Sequence, residues 1–210
     1  MNQTQQPSLA ITLLREEAWL GELRLNWVRL IALAGLYLQH VLVSSWSQGV
    51  VVSPEFNRAV DWICSGWLLA ILAVFYCLYR RWMPPYLKFG SALWDLTACG
   101  VVISLGDGPR SGLLVLLPVL VGASAVRLSM GLVWFSSMGA ILCYLAVLGR
   151  YAWFQVGFEK YYATPGLRIP RTQECIMIIA LVVAGLVAGQ VVRQAHRLAA
   201  AGSNPRNEKA

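Results

Sequence analysis

Apolar and polar positions alternate along this chain in blocks rather than at strand or surface-helix spacing. Runs of about 16 to 22 mostly apolar residues, each long enough to approach one bilayer crossing, are separated by short polar or turn-forming stretches. The blocks predict six membrane-spanning helices over residues 26–46, 59–79, 86–105, 111–126, 132–149 and 175–192. The chain therefore reads as an all-α, polytopic integral membrane protein. Residues 1–24 form an N-terminal segment in which Leu13, Leu14, Ala18, Leu20 and Leu23 could share one face of a short amphipathic helix on the membrane surface. Residues 25–198 are the six-helix bundle, and 199–210 a short disordered cytoplasmic tail.

The connections have their own chemistry. Pro84 and Pro85 force a turn between the second and third spans. Gly106, Asp107, Gly108 and Pro109 close the third. Pro118, lacking an N–H, should kink the fourth. Only residues 127–131 join the fourth and fifth spans, so these two form an antiparallel hairpin. Residues 150–173 are the longest loop, aromatic and polar. Trp27 and Trp46 flank the first span, where indole rings favour the water–lipid boundary.

Composition agrees with this pattern. Of 210 residues 58% are hydrophobic and 13% charged, with mean hydropathy +0.59, so most of the surface must face lipid. The net charge of +7 does not mark a nucleic-acid binder, because the 17 basic residues are scattered between apolar runs and form no stripe. They serve as a topology signal instead. Six spans put both termini on one side, together with Arg15, Arg24, Arg29, Arg80, Arg81, Lys88, Arg127, Arg193, Arg197, Arg206 and Lys209. The other side holds Arg58, Arg110, Arg150, Lys160, Arg168 and Arg171. Both termini are expected to be cytoplasmic, in a bacterial inner membrane.

Few residues carry candidate chemistry. Asp95 lies two to three turns inside the third span, where an ionised carboxylate needs a partner or water. Arg127 and Arg29 are at comparable depth, and a buried Asp95 pair with either one would act as a structural clamp or as a proton- or ligand-responsive site. The outer turn Asp107, Gly108, Pro109, Arg110, Ser111 reads as a turn with Asp107 or Ser111 capping the next helix. Its functional alternative is a small anion- or solute-binding rim built on Arg110. Gly185 and Gly189 head a strip of small residues that lets α-helices approach closely, within the bundle or in another protein.

The five cysteines stand singly and read as small apolar core residues. His40 and His196 belong to opposite ends of the bundle, so they cannot form a bis-histidine haem site within one chain. No GxSxG elbow, P-loop, zinc or kinase signature occurs. No enzyme, cofactor or metal is expected. The expected partners are the lipid bilayer and other membrane or signalling proteins.

RLNWVRLIALAGLYLQHVL, PPYLKFGSALWDL, the stretch from LGDGPRSGLLVLLP to AILCYL, and IPRTQECIMIIALVVAGLVAGQVVRQ together resemble a family. It is the six-helix membrane input module of bacterial signalling proteins, similar to the membrane half of type IV pilus sensor histidine kinases. A like module precedes adenylate cyclase or protein kinase domains in planctomycete-like bacteria. The resemblance rests on Asp95, the 107–111 turn, Arg127 and the Leu132, Val133, Trp134, Phe135 start of the fifth span. It implies a sensing or docking fold whose output is a partner protein, since no phospho-accepting His box or nucleotide site follows. The alternatives are an accessory subunit bracing a larger membrane assembly, such as an energy-transducing complex, and a small-solute or proton transporter with Asp95 as its only intramembrane carboxylate.

Overall fold

The computed structural model describes residues 6–46, 54–82, 84–164 and 169–202. All regular structure among them is helical. The chain forms two compact units, Met1–Leu87 and Lys88–Ala210.

The first unit is a pair of long helices, α1 (Gln6–Trp46) and α2 (Pro54–Tyr79). The expected surface segment and first span are one continuous helix of 41 residues, about 60 Å long. The join, LGELRLN, is built mainly from strong helix formers, and Gly21 alone costs only about 1 kcal/mol. Contacts run in opposite order along the two helices, which makes them antiparallel. Trp19 Nε1 donates to the Leu78 carbonyl (3.1 Å), Asn26 Nδ2 to that of Ile71 (3.1 Å), and His40 lies 6.2 Å from the Phe56 ring. Trp27 meets Phe75 edge-on at 5.4 Å. The Trp46 side chain lies outside the described residues.

Helix α2 ends in a Schellman motif. The N–H of Trp82 bonds to the Cys77 carbonyl and that of Arg81 to Leu78, both 3.0 Å, with Arg81 left-handed at φ 52°. The Arg81 guanidinium then sits 6.0 Å above the Trp19 ring.

The second unit contains α3 (Pro85–Leu105), α4 (Leu116–Ser124), α5 (Met130–Arg150), α6 (Phe158–Ala163) and α7 (Arg171–Gly202). Pro85 starts α3 where a missing N–H loses nothing. A 3₁₀ turn at Gly112–Val115 leads into α4, and another at Ala125–Arg127 follows it. Pro118 consequently falls in the first α-helical turn, and the chain changes helix type just before it. Leu128 at φ 50° and extended Ser129 complete the short link to α5.

The core of this unit draws Leu96, Cys99 and Ile103 from α3, Leu117 and Val121 from α4, Ala140, Tyr144 and Val147 from α5, and Leu181 from α7. Close packing depends on small residues. A Cβ at Gly100 would stand 2.5 Å from Cys143 Sγ, and one at Gly139 2.7 Å from Leu96 Cδ1.

Residues 150–164, the described first part of the expected 150–173 loop, prove more structured than a loop. Helix α5 runs into a π turn at Tyr151–Gln155, and α6 follows after Gly157. Tyr161 closes the excursion, its hydroxyl accepting from the Ile169 N–H at 3.3 Å and its ring meeting Tyr151 edge-on. Aromatic packing drives this order, for Tyr161 and Ile169 are 5% and 1% exposed. Residues 199–202, assigned to a tail, belong to α7 because Leu198 and the alanines after it favour helix. The rest of that tail lies outside the described residues.

Among the described residues five helices are long and apolar enough to cross a membrane, within Trp19–Leu42, Glu55–Tyr79, Tyr86–Leu105, Met130–Gln155 and Arg171–Leu198. A shorter apolar helical stretch covers Gly112–Arg127. Only 22% of the apolar α7 window is buried, and Ile176, Ile179, Leu186 and Val187 are among its outward residues. Surface of that kind is stable against lipid and unstable against water.

Candidate functional site

Arg127 is the best-defined polar centre of the second unit. The 3₁₀ turn after α4 swings it back toward the start of α3, where it is 5% exposed. Nη1 donates to the Lys88 carbonyl at 2.7 Å and Nη2 to Ser91 Oγ at 2.8 Å. Ser91 Oγ in turn donates to the same Lys88 carbonyl at 3.1 Å, so three groups form a closed set. Asp95 lies one turn further along this face of α3 and is 7% exposed. The two residues expected to form a clamp are thus both buried in one unit.

Arg29 belongs to the first unit and is equally buried. It continues a polar stripe along α1, with Glu22 and Asn26 preceding it at i, i+4, i+7 spacing and 2% and 0% exposed. This stripe escapes a sequence reading that starts the first span at residue 26 and leaves Glu22 on the membrane surface. The signal was present in the spacing, because the intervening Trp27 and Val28 and the following Ile31 face outward. Glu22 also lies within an apolar span window, as does Asp61 on α2, so Asp95 is not the lone carboxylate there.

The outer turn is held from several directions. Ser111 Oγ accepts from the Leu113 N–H at 3.2 Å and caps the 3₁₀ turn at Gly112–Val115, whereas Asp107, which precedes a 3₁₀ turn at Gly108–Arg110, makes no side-chain cap bond. Gly108 has φ 57°, and a Cβ there would approach Tyr151 Cδ2 to 3.3 Å. Gln155 Nε2 donates to the Ser104 carbonyl at 3.0 Å. The π turn therefore buttresses the 107–111 turn. Arg110 is exposed at its edge.

The small-residue strip packs within the chain. A Cβ on Gly185 would run into Ser137 of α5, with Ser137 Cβ at 3.1 Å, and one on Gly189 would meet Met130 Cε at 3.3 Å. Ala188 joins Ala125, Val133 and Val192 in a second buried cluster. Beyond it, His196 Nε2 reaches the Leu128 carbonyl at 3.0 Å. The continuation of α7 is thereby tied to the α4–α5 link.

His40 is half-buried beside Tyr37 and Phe56. All five cysteines are free thiols, and Cys143 Sγ points at the Leu96 carbonyl, 3.4 Å away. Among the described residues no group of three His, Cys, Asp or Glu side chains could hold a metal ion. The buried polar groups can fix helix positions or respond to protons and polar ligands. No family model, curated protein or solved structure matches the chain.

Proposed function

We propose that this chain is a non-enzymatic membrane input or docking module that acts on a partner protein through the cytoplasmic continuation of α7. The observation that carries the reading is the bond between His196 and Leu128. Helix α7 runs unbroken for 32 residues, about 48 Å, which exceeds a hydrocarbon core of about 30 Å. A displacement among the packed helices would move the exposed Arg193 and Arg197 as part of one rod. Asp95 and Arg127 supply the buried polar centre of the second unit in this reading, and Arg29 is a buried charge of the first unit. The 107–111 turn supplies its outer rim.

A six-span topology with both termini cytoplasmic suits this role. The sixteen residues of Gly112–Arg127 include seven in 3₁₀ geometry, which rises about 2.0 Å per residue, so the stretch extends about 28 Å. That nearly spans the core despite the low residue count. Setting aside the buried Arg29 and Arg127, nine basic residues remain on the terminal side against six opposite, which favours cytoplasmic termini in a bacterial inner membrane.

A second reading, an accessory subunit of a larger membrane complex, draws support from the apolar groove between α4 and α7. It measures about 660 Å³ and is lined by Gly122, Ala125, Ala184 and Val187, among others. Mild-detergent purification from native membranes separates the two. Recovery with a soluble signalling protein, lost in His196→Ala, supports the input module. Stoichiometric recovery within a multi-subunit membrane complex, unaffected by that substitution, supports the accessory subunit and overturns the first reading.

A further inference from the structure

We propose that the crevice between α5 and α7 binds one anionic glycerophospholipid, its phosphate at Arg193 and an acyl chain along the apolar wall beside it. This rests on the reading of the second unit as a membrane bundle whose α7 continuation is cytoplasmic. The crevice, about 160 Å³, flanks the seam where Gly185 and Gly189 bring the α7 backbone against α5.

Its polar and apolar parts are segregated. Arg193 and Gln190, one turn apart on α7, lie at one end, and both are exposed. Neither makes a hydrogen bond or ion pair among the described residues. Trp134, in the second turn of α5, stands at the same end with 57% of its surface open, the position an indole takes at headgroup level. The rest of the wall comes from Met138, Ile141, Val182 and Leu186. Ser137 also lines it, but its hydroxyl donates to the Val133 carbonyl at 2.8 Å and presents no free donor.

Length and charge select the occupant. From Val182 to Arg193 the α7 wall covers twelve residues, a rise of about 16 Å, and from Met130 to Ile141 the α5 wall covers the same. Half of a hydrocarbon core of about 30 Å is about 15 Å, so the crevice is one leaflet deep. A volume of about 160 Å³ is too small to seat a helix about 10 Å across, whereas part of a single acyl chain can lie in it and the flexible Met138 can adapt. Among the described residues no acidic side chain lines the crevice, so the Arg193 guanidinium is left to attract an anion. Its fork matches two phosphate oxygens, and the Gln190 amide can donate to a third. Basic pockets between helices at the cytoplasmic leaflet favour anionic headgroups. The α4–α7 groove is larger but has, among the described residues, no charged lining to choose an occupant.

Native mass spectrometry of the full chain in detergent, titrated with phosphatidylglycerol or phosphatidylcholine, tests this directly. Wild type is expected to retain one phosphatidylglycerol in preference to phosphatidylcholine. Arg193→Ala should weaken that binding about tenfold. Gln190→Trp, an exposed substitution that fills the crevice, should abolish it, and Arg197→Ala, outside the crevice, should leave it intact. Unaltered helicity by circular dichroism confirms that each variant is folded. Equal losses in the two arginine variants, equal retention of the two lipids, or no response to Arg193→Ala and Gln190→Trp would each overturn the proposal. A reporter fused to the C-terminus reads orientation separately. An outward terminus with lipid selectivity intact would support the crevice while overturning the topology.

Discussion

His196 and Leu128, 68 residues apart in sequence, are joined by a 3.0 Å bond from the imidazole Nε2 to a main-chain carbonyl. The carbonyl is free to accept because Leu128 leaves the helix in the left-handed region, at φ 50°, and so drops out of the helical ladder. His196→Ala should raise amide exchange in α7 beyond Val192 while protection of the α3–α5 core is unchanged. Identical exchange in the variant and the parent would show that the bond does not hold the extension. The bond is exposed, so global stability should fall by no more than about 1 kcal/mol.

Leu128 itself carries a backbone cost. A non-glycine residue in the left-handed region is disfavoured by roughly 1 kcal/mol, and the Leu128 side chain is 42% exposed. Leu128→Gly should therefore stabilise the protein by about 0.5–1 kcal/mol in reversible unfolding, and Leu128→Ala should not. A gain from alanine as large as that from glycine would assign the effect to the side chain instead.

Arg127 ties the α4–α5 link to the start of α3 through two separate bonds. Removing it leaves buried acceptors to be resolvated, and Arg127→Ala should cost about 2–4 kcal/mol. Arg127→Lys should recover only part of this, because an ammonium cannot reproduce the guanidinium fork. Ser91→Ala should cost about 1 kcal/mol, with a coupling energy to Arg127→Ala above about 0.5 kcal/mol in a double-mutant cycle. Additive losses would mean that the two side chains do not act together.

The seam between α5 and α7 predicts a compensating pair. Gly185→Ala places a methyl group into Ser137 and should destabilise by about 1–3 kcal/mol. Ser137→Gly removes the obstruction, so the double variant should be more stable than Gly185→Ala alone. Thermal unfolding in detergent checks this, and a double variant less stable than Gly185→Ala alone would disprove the contact as the cause.

Much of this architecture was legible in the chain itself. Blocks of apolar residues about one bilayer long, and the Pro84–Pro85 and 107–111 turns, placed the second to fifth apolar stretches within five residues of their helices, because length and turn chemistry are local properties, whereas the first and last helices extend well beyond the expected bounds. Asp95 and Arg127 stood out for a similar reason, as charges bordering or interrupting apolar runs. The buried positions of Glu22 and Asn26 were not apparent, since burial depends on which face of α1 meets its surroundings and a mixed polar segment reads equally well as an interfacial helix. The order in residues 150–163 was also hidden, because it arises from Tyr151, Tyr161 and Ile169 meeting across a turn.

The sequence by itself determined that this is an all-helical chain for a lipid environment, because its apolar blocks cannot be covered by its polar residues. Tertiary structure alone decided how the charges are met. Arg127 is engaged by Lys88 and Ser91, 39 and 36 residues away, and His196 by Leu128. Hydrogen bonds between residues so far apart exist only once helix packing has brought the groups within 3 Å, and no local pattern encodes that.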